Sequence, residues 1–373
     1  MSLLLSPCQI RDLTLRNRLV VSPMCQYSAI GGVANDWHFA HLSRFALGGF
    51  GTVMVEATAV SPQGRITYGC LGLWDDAQVA PLAHIAAFLK SQGAAAAIQI
   101  GHAGRKGSTP LWWRGAFNET EAEKPLVGFE HWQPVAPSAL AHMDHPDYQT
   151  PRALTLAEVQ ALPDQFAGAI ARADRAGFDI VELHGAHGYL INQFLSPLSN
   201  HRADAYGGSR PNRMRLLLEI IEASRAVWPA AKPLFLRLSV QDALPGGWTV
   251  EDSQALAAEA TARGVDVIDC SSGGFAGAAI KPAPGYQIPL AKAVRDSGAK
   301  TMAVGLITTP ELAEAALTSG SADLVALGRT ALDDPNFPLH AAKALGDAAD
   351  HWPRQAGFAV RLRDAALAKA ALA

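Results

Sequence analysis

Three features of the chain predict an α/β fold closed into a barrel of eight parallel strands. Short apolar or β-branched runs recur eight times, segments with helical periodicity separate them, and a glycine follows several of those segments. Strands are predicted at 19–23, 52–58, 94–100, 180–184, 234–239, 265–270, 301–305 and 324–328. Apolar residues recur at helical spacing over 77–92, 156–176, 212–227, 250–263 and 310–319. Strands that alternate with helices lie parallel, because each helix carries the chain back to the starting edge of the sheet. Gly93, Gly177, Gly264 and Gly320 stand just past four of these helices, where a left-handed residue turns the chain into the next strand. The result is one (β/α)8, or TIM, barrel over residues 1–373, with a long insertion after the third strand at 104–154 and a C-terminal extension at 347–373. The insertion is rich in Pro, Trp and charge and has no clear period, the character of a lid or binding loop. The extension either closes a neighbouring subunit's site or packs on its own surface.

Composition narrows the function classes. Of 373 residues, 49% are hydrophobic and 17% charged, which supplies a large core and leaves no compositional sign of disorder. The net charge is −3 with both signs mixed along the chain, so the basic stripe that nucleic acid requires is missing. The stretch Met1-Ser2-Leu3-Leu4-Leu5-Ser6-Pro7 lacks the basic start and long apolar run of an export signal, and no run approaches the roughly 20 apolar residues of a membrane span. A cytoplasmic protein without a membrane partner is expected. Cys8, Cys25, Cys70 and Cys270 are scattered, as free thiols are, without the paired spacing of a disulfide framework or a metal cluster.

The run His184-Gly185-Ala186-His187-Gly188-Tyr189 follows the strand-like segment 178–183 and concentrates the chemistry. Barrel enzymes keep their reactive groups where strands end and loops begin, because the strand fixes the base of a side chain that the loop aims. Two imidazoles can donate hydrogen bonds to a substrate carbonyl while a phenol supplies a proton. The same histidines could instead ligate a metal in a barrel hydrolase, with Glu182 or Asp204 nearby, although the spacing matches no familiar zinc motif. Gln99 and Arg237 end two other strands. Gly305 and the pair Gly328-Arg329 follow the seventh and eighth, where barrels commonly bind phosphate. His102, Arg105 and Lys106 after the third strand form either a site for a charged group or a solvated basic loop.

A wider set of blocks points to a family. Asn200-His201-Arg202-Ala203-Asp204-Ala205-Tyr206-Gly207-Gly208-Ser209, followed by Asn212-Arg213, Arg215 and Glu219, is the strongest signal. With it run Pro23-Met24-Cys25-Gln26-Tyr27, Val55-Glu56-Ala57, Gln99-Ile100-Gly101-His102-Ala103-Gly104-Arg105-Lys106 and the histidine motif, in order from about Leu5 to Asp334. Together they resemble the old yellow enzyme family of FMN-dependent ene-reductases. Cys25, Tyr27 and the His-His pair resemble its bacterial branch of xenobiotic reductases and NADPH dehydrogenases.

The resemblance implies FMN at the C-terminal strand ends, reduced by NADPH or NADH. It assigns flavin contacts to Ser22, Pro23, Met24, Cys25, Ala57, Gln99 and Arg237, and phosphate contacts to Gly305, Gly328 and Arg329. It gives His184, His187 and Tyr27 the carbonyl of a small enone or enal, Tyr189 the role of proton donor, and Cys25 that of tuning the flavin. It implies a homodimer or homotetramer and no metal. Trp37, His38 and His41 would support the site by packing, and Trp112, Trp113 and Trp132 would form or anchor a lid. Longer relatives that reduce dienoyl thioesters are the alternative; they carry an iron–sulfur cluster and a further domain, for which the chain has neither the clustered cysteines nor the length. The tail around 351–359 matches the family loosely, with Ala356 and Ala359 where aromatics are common, so an arginine donated to a partner from Arg361 or Arg363 stays an open point.

Overall fold

The computed structural model describes residues 2–113, 131–347 and 352–370. Eight parallel strands close a barrel: Leu19–Val21, Thr52–Ala59, Ala95–Gly101, Ile180–Gly185, Leu234–Ser239, Val267–Ser271, Thr301–Ala303 and Leu324–Leu327. Each pairs with the next, and the last returns to the first through Val325 with Leu19, Ala326 with Val20 and Leu327 with Val21. All eight predicted runs are strands. Seven of them are buried along every residue and the second along all but one, because the inner row meets the barrel core while the outer row meets helices. Burial on both faces is why these runs read as continuous apolar stretches instead of alternating ones.

The inner rows carry the functional consequence. Val20, Met54, Ala95, Ala97, Ile180, Phe235, Val267, Met302, Leu324 and Ala326 fill the lower barrel. A hairpin of Cys8–Ile10 with Leu13–Leu15 adds Ile10 and Leu15 to that cluster. Side chains two apart on a strand share a face. The same inward rows therefore continue upward as Gln99, then Glu182 and His184, Arg237 and Ser239, and Asp269 and Ser271. The apolar plug below and the polar layer above are one alternation read at two heights.

Helices Val79–Ser91, Leu156–Arg175, Arg210–Val227, Val250–Ala262 and Pro310–Thr318 occupy the predicted crossovers, and Asp36–Leu47 and Ile288–Arg295 fill two more. The third of these starts at Arg210, earlier than its periodicity suggests, because Ser209 caps it by accepting from the Asn212 amide. Gly93, Gly177, Gly264 and Gly320 all have φ between +70° and +97°. Past them the amides of Ala94, Phe178, Val265 and Ser321 reach back to Leu89, Ala173, Ala260 and Ala316, the paired bonding that ends a helix on a left-handed residue.

The insertion opens with a 3-10 turn at Gly104–Lys106 and contains a short pair of strands, Val135–Ala136 with Arg152–Ala153. Its segment 114–130 lies outside the described residues. The C-terminal extension holds the helix Arg354–Ala370, whose Phe358, Leu362 and Leu367 are exposed. No helix among the described residues is long and apolar enough to cross a membrane.

Candidate active site

His184 is the penultimate residue of the fourth strand, which ends at Gly185, and the chain then makes a tight loop before the short helix Leu190–Leu195, with Tyr189 at its N-cap. His187 sits in this loop with φ +61°, a left-handed conformation that a non-glycine residue adopts at a cost. Side chains from elsewhere hold it there. The Ser239 hydroxyl accepts from the His187 amide at 2.9 Å and donates to the Gly273 carbonyl at 2.6 Å. Asn192 Oδ1 accepts from the Gly188 amide at 2.7 Å, and Gln193 Nε2 donates to the Gly188 carbonyl at 2.7 Å.

This scaffold brings the three motif side chains together. The His184 ring lies edge-on to His187 at 5.2 Å between centroids and edge-on to Tyr189 at 4.9 Å. His184 Nδ1 accepts from the Ala186 amide at 3.3 Å, so the proton of the neutral ring is on Nε2. His187 Nε2 is 2.7 Å from the Ser271 hydroxyl; that oxygen accepts from Gln287 Nε2 at 3.1 Å and its own proton can go to His187 Nε2, the tautomer that leaves Nδ1–H for a ligand. Burial, reinforced by the charges of Arg237 and Lys106, drives both imidazoles well below their ordinary pKa. Two neutral imidazoles result. Burial likewise holds the Tyr189 phenol well above its ordinary range, so it keeps its proton.

An apolar wall faces this clamp. Tyr27, Ile66, Tyr68, Cys70, Ala103, Leu111 and Tyr189 form one cluster, against which Cys25, Trp113 and Trp132 pack. Tyr27 also has a left-handed backbone, φ +53°. The turn that bears it is anchored by Glu56, fully enclosed, whose carboxyl accepts from the Gln26 amide at 3.0 Å. Burial pushes the Cys25 thiol up, with Cys70 and Glu56 adding to the effect. Trp112 lies 5.7 Å from the Tyr27 ring, Trp113 Nε1 donates to the Gln26 carbonyl, and Trp132 Nε1 donates to the Gln63 carbonyl, so the insertion is pinned to the rim beside the site. His38 completes a capping box at the start of Asp36–Leu47, His41 packs edge-on to Phe45, and the Trp37 ring stacks on His41.

Beside the clamp lies a second cleft. Ser22, Pro23, Met24, Arg237, Gly305, Gly328 and Arg329 line it together with Ser271 and Gln287. Arg237 joins the two clefts, since it pairs in register with His184. Ala57 lines the clamp side with His184 and Tyr189, at an irregularity between the second and third strands where the register shifts after Val55. Gln99 is inside the barrel and donates to Glu182 Oε1 at 2.8 Å. The residues fit a flavin nucleotide. Ser22 Oγ and Arg237 Nε are buried without a hydrogen-bond partner, while Arg329 is exposed and forms no ion pair among the described residues. One cation deep in the cleft and one among the glycine amides at its end suit an anionic ring system and a phosphate.

One alternative from the sequence is overturned. His102, Arg105 and Lys106 are not a solvated loop; they are 5%, 5% and 8% exposed. Lys106 Nζ donates to the His187 carbonyl at 3.0 Å, approaches the Gly274 carbonyl at 3.5 Å, and stands 5.1 Å from the Tyr189 ring centroid. Arg105 stacks its guanidinium over Phe275 at 5.0 Å. The loops after the fourth and sixth strands enclose these cations, and no local spacing announces that. Ser239 and Ser271 were also missed, their places at strand ends the only hint, and Glu56 was read only as part of the Val55-Glu56-Ala57 block, without a role.

The comparisons agree with this geometry. Residues 3–348 match the NADH:flavin oxidoreductase / NADH oxidase family. The chain is 43% identical to an NADPH dehydrogenase of Geobacillus thermodenitrificans strain NG80-2, across 92% of this chain and 95% of that one. An old yellow enzyme homologue from Zymomonas mobilis superposes with a TM-score of 0.74 at 26% identity, covering 91% of this chain and 92% of that chain. A 2-naphthoyl-CoA reductase superposes with a TM-score of 0.81 at 27% identity over 94% of this chain, but the match spans only 53% of that longer chain. Among the described residues no cluster of three or more His, Cys, Asp or Glu could hold a metal ion. The chain belongs to the NADH:flavin oxidoreductase / NADH oxidase family, as an FMN-dependent oxidoreductase of the old yellow enzyme type.

Proposed function

We propose that this enzyme reduces the activated C=C bond of small α,β-unsaturated carbonyl compounds at the expense of NADPH or NADH. FMN bound in this cleft would supply the redox chemistry, hydride transfer from the nicotinamide to the β-carbon of the substrate. Ser22, Pro23, Met24, Cys25, Ala57, Gln99 and Arg237 would hold its ring and ribityl portions, with the amides of Gly305 and Gly328 and the Arg329 guanidinium on its phosphate. His184 Nε2–H and His187 hold the carbonyl oxygen, with Tyr27 beside them, and stabilise negative charge as it grows there. A donor placed in advance for such charge is worth about a hundred- to a thousandfold in rate. Tyr189 gives its phenolic proton to the α-carbon.

One observation carries the reading: two uncharged imidazoles converge on a buried, protonated phenol, with ring centroids 5.2 Å and 4.9 Å from His184. Replacing Tyr189 by Phe tests it in stopped flow. Flavin reduction by NADPH keeps its rate while reoxidation by 2-cyclohexenone slows; an unchanged reoxidation rate removes Tyr189 as the proton donor. Enoyl thioesters are a second substrate class, favoured by the likeness to the 2-naphthoyl-CoA reductase, and the same assay with a thioester enone decides between them. Assembly as a homodimer or homotetramer accords with the exposed Phe358, Leu362 and Leu367 of the C-terminal helix. A cytoplasmic location accords with a nicotinamide reductant.

A further inference from the structure

Two carboxyls inside the barrel have no part in the roles above. Glu182 and Asp269 are both fully enclosed, on the inward rows of the fourth and sixth strands, each two residues before a group of the clamp, His184 and Ser271. The fifth strand runs between them, and its Arg237 pairs in register with both His184 and Asp269. Arg237 Nε is 3.1 Å from Asp269 Oδ2, close enough for charge attraction but not aligned as a hydrogen bond. Glu182 Oε1 accepts from Gln99 Nε2, while Glu182 Oε2 and both Asp269 oxygens have no hydrogen-bond partner.

Charge counting makes this arrangement decisive. With both carboxyls ionised, the cluster of Gln99, Glu182, Arg237 and Asp269 would carry a net negative charge in a place closed to water, and the two carboxylates would repel. A single proton brings the cluster to neutrality and turns one oxygen that has no donor into a donor itself. Asp269 has the guanidinium as its partner; Glu182 has only a neutral amide. Burial first and the neighbouring Asp269 second push Glu182 up to about 8, against the opposing pull of Arg237. Burial also raises Asp269, and Arg237 opposes that rise. The other titratable groups around Arg237, His184 and His187, are held neutral, and Lys106 reaches them from the third-strand loop.

We propose that Glu182 is a carboxylic acid and Asp269 a carboxylate at neutral pH, a positioning pair that orients Gln99 and Arg237 and sets the flavin's reduction potential through the charge left on Arg237. The inference rests on the reading that Arg237 contacts FMN. A carboxylate beside the arginine weakens its stabilisation of a reduced, anionic ring; a protonated Glu182 does not. Loss of the Glu182 proton at alkaline pH adds a negative charge and makes the flavin harder to reduce.

Equilibrium potential titrations of the FMN-loaded protein across pH test this with E182Q, D269N and R237M. E182Q, which mimics the acid, keeps the neutral-pH potential near wild type and abolishes an inflection near pH 8 that the wild type shows. D269N moves the potential in the positive direction. Infrared difference spectra of wild type minus E182Q at neutral pH, in which the buried Glu56 carboxyl cancels, show a protonated-carboxyl band, a readout that does not depend on activity or on D269N folding. A neutral-pH potential raised by E182Q as much as by D269N, or a wild-type minus E182Q difference spectrum without a protonated-carboxyl band, overturns the assignment. An R237M variant with wild-type potential and FMN affinity would instead overturn the arginine's flavin contact. If R237M shifts the potential while both carboxyl variants leave it unchanged at every pH, the pair has no tuning role.

Discussion

Lys106→Met should separate stability from catalysis, because the ammonium it removes is costly to bury and useful to the loop above it. The side chain is 8% exposed, and burial, with Arg105 adding to the effect, pushes its pKa from the ordinary 10.5 down to about 8. A drop of that size means ~3 kcal/mol against carrying the charge in the folded state at neutral pH. Against this stands the hydrogen bond to the His187 carbonyl at 3.0 Å, a charged donor worth about 1.5–3 kcal/mol. The two effects nearly cancel, and Met keeps most of the apolar stem. The variant should therefore unfold within about 1 kcal/mol of wild type at pH 7. The sign of the pH effect follows: a lysine whose folded pKa is lowered disfavours folding below that value, so the wild type gains stability as pH rises from about 8 toward 10.5 and the variant loses this gain. Catalysis should respond differently. Without the ammonium, the left-handed turn at His187 loses a tie to the third-strand loop, and reoxidation by an enone should slow about ten- to a hundredfold as one clamp donor loosens. Stopped-flow reoxidation and thermal unfolding at pH 7 and 9.5 measure both quantities. Unchanged reoxidation, or a large loss of stability at pH 7 together with wild-type pH dependence, refutes the reasoning.

Other outcomes follow from the same structure. His184 and His187 are held far below their ordinary pKa by burial, so reoxidation by an enone should show no histidine titration between about pH 6 and 8. A base with a depressed folded pKa takes up its proton in the unfolded chain first, so these two histidines make the fold lose stability as pH falls below about 6.5, measurable by denaturant titration. Arg329→Met should weaken FMN binding about tenfold and reduce its salt dependence in fluorescence titrations of the apoprotein, without altering the fold, because the side chain is exposed and forms no ion pair among the described residues. Phe235→Ala, at the centre of the lower barrel and fully buried, should cost about 3–5 kcal/mol in chemical denaturation.

Much of the fold was legible because its signals are local. Strands buried on both faces read as apolar runs, and the glycines after four helices read as left-handed caps, since each depends on a handful of neighbouring residues. The helices Asp36–Leu47 and Ile288–Arg295 were not named in advance; the first has polar and aromatic residues breaking its apolar period, and the second is short. The clamp was legible too, as His184, His187 and Tyr189 lie within six consecutive residues.

What the sequence determined by itself was the barrel, its strands and the loop that holds the candidate site. The tertiary structure alone decided what surrounds that loop: Ser271, 84 residues from His187, on its imidazole; Lys106, 81 residues away, on its carbonyl; and Glu182 with Asp269 beside Arg237. The physical reason is the register between strands. Alternation along one strand says which side chains point inward, but only the closure of the barrel says which inward side chains meet, which of them lose water, and therefore which keep or lose a proton.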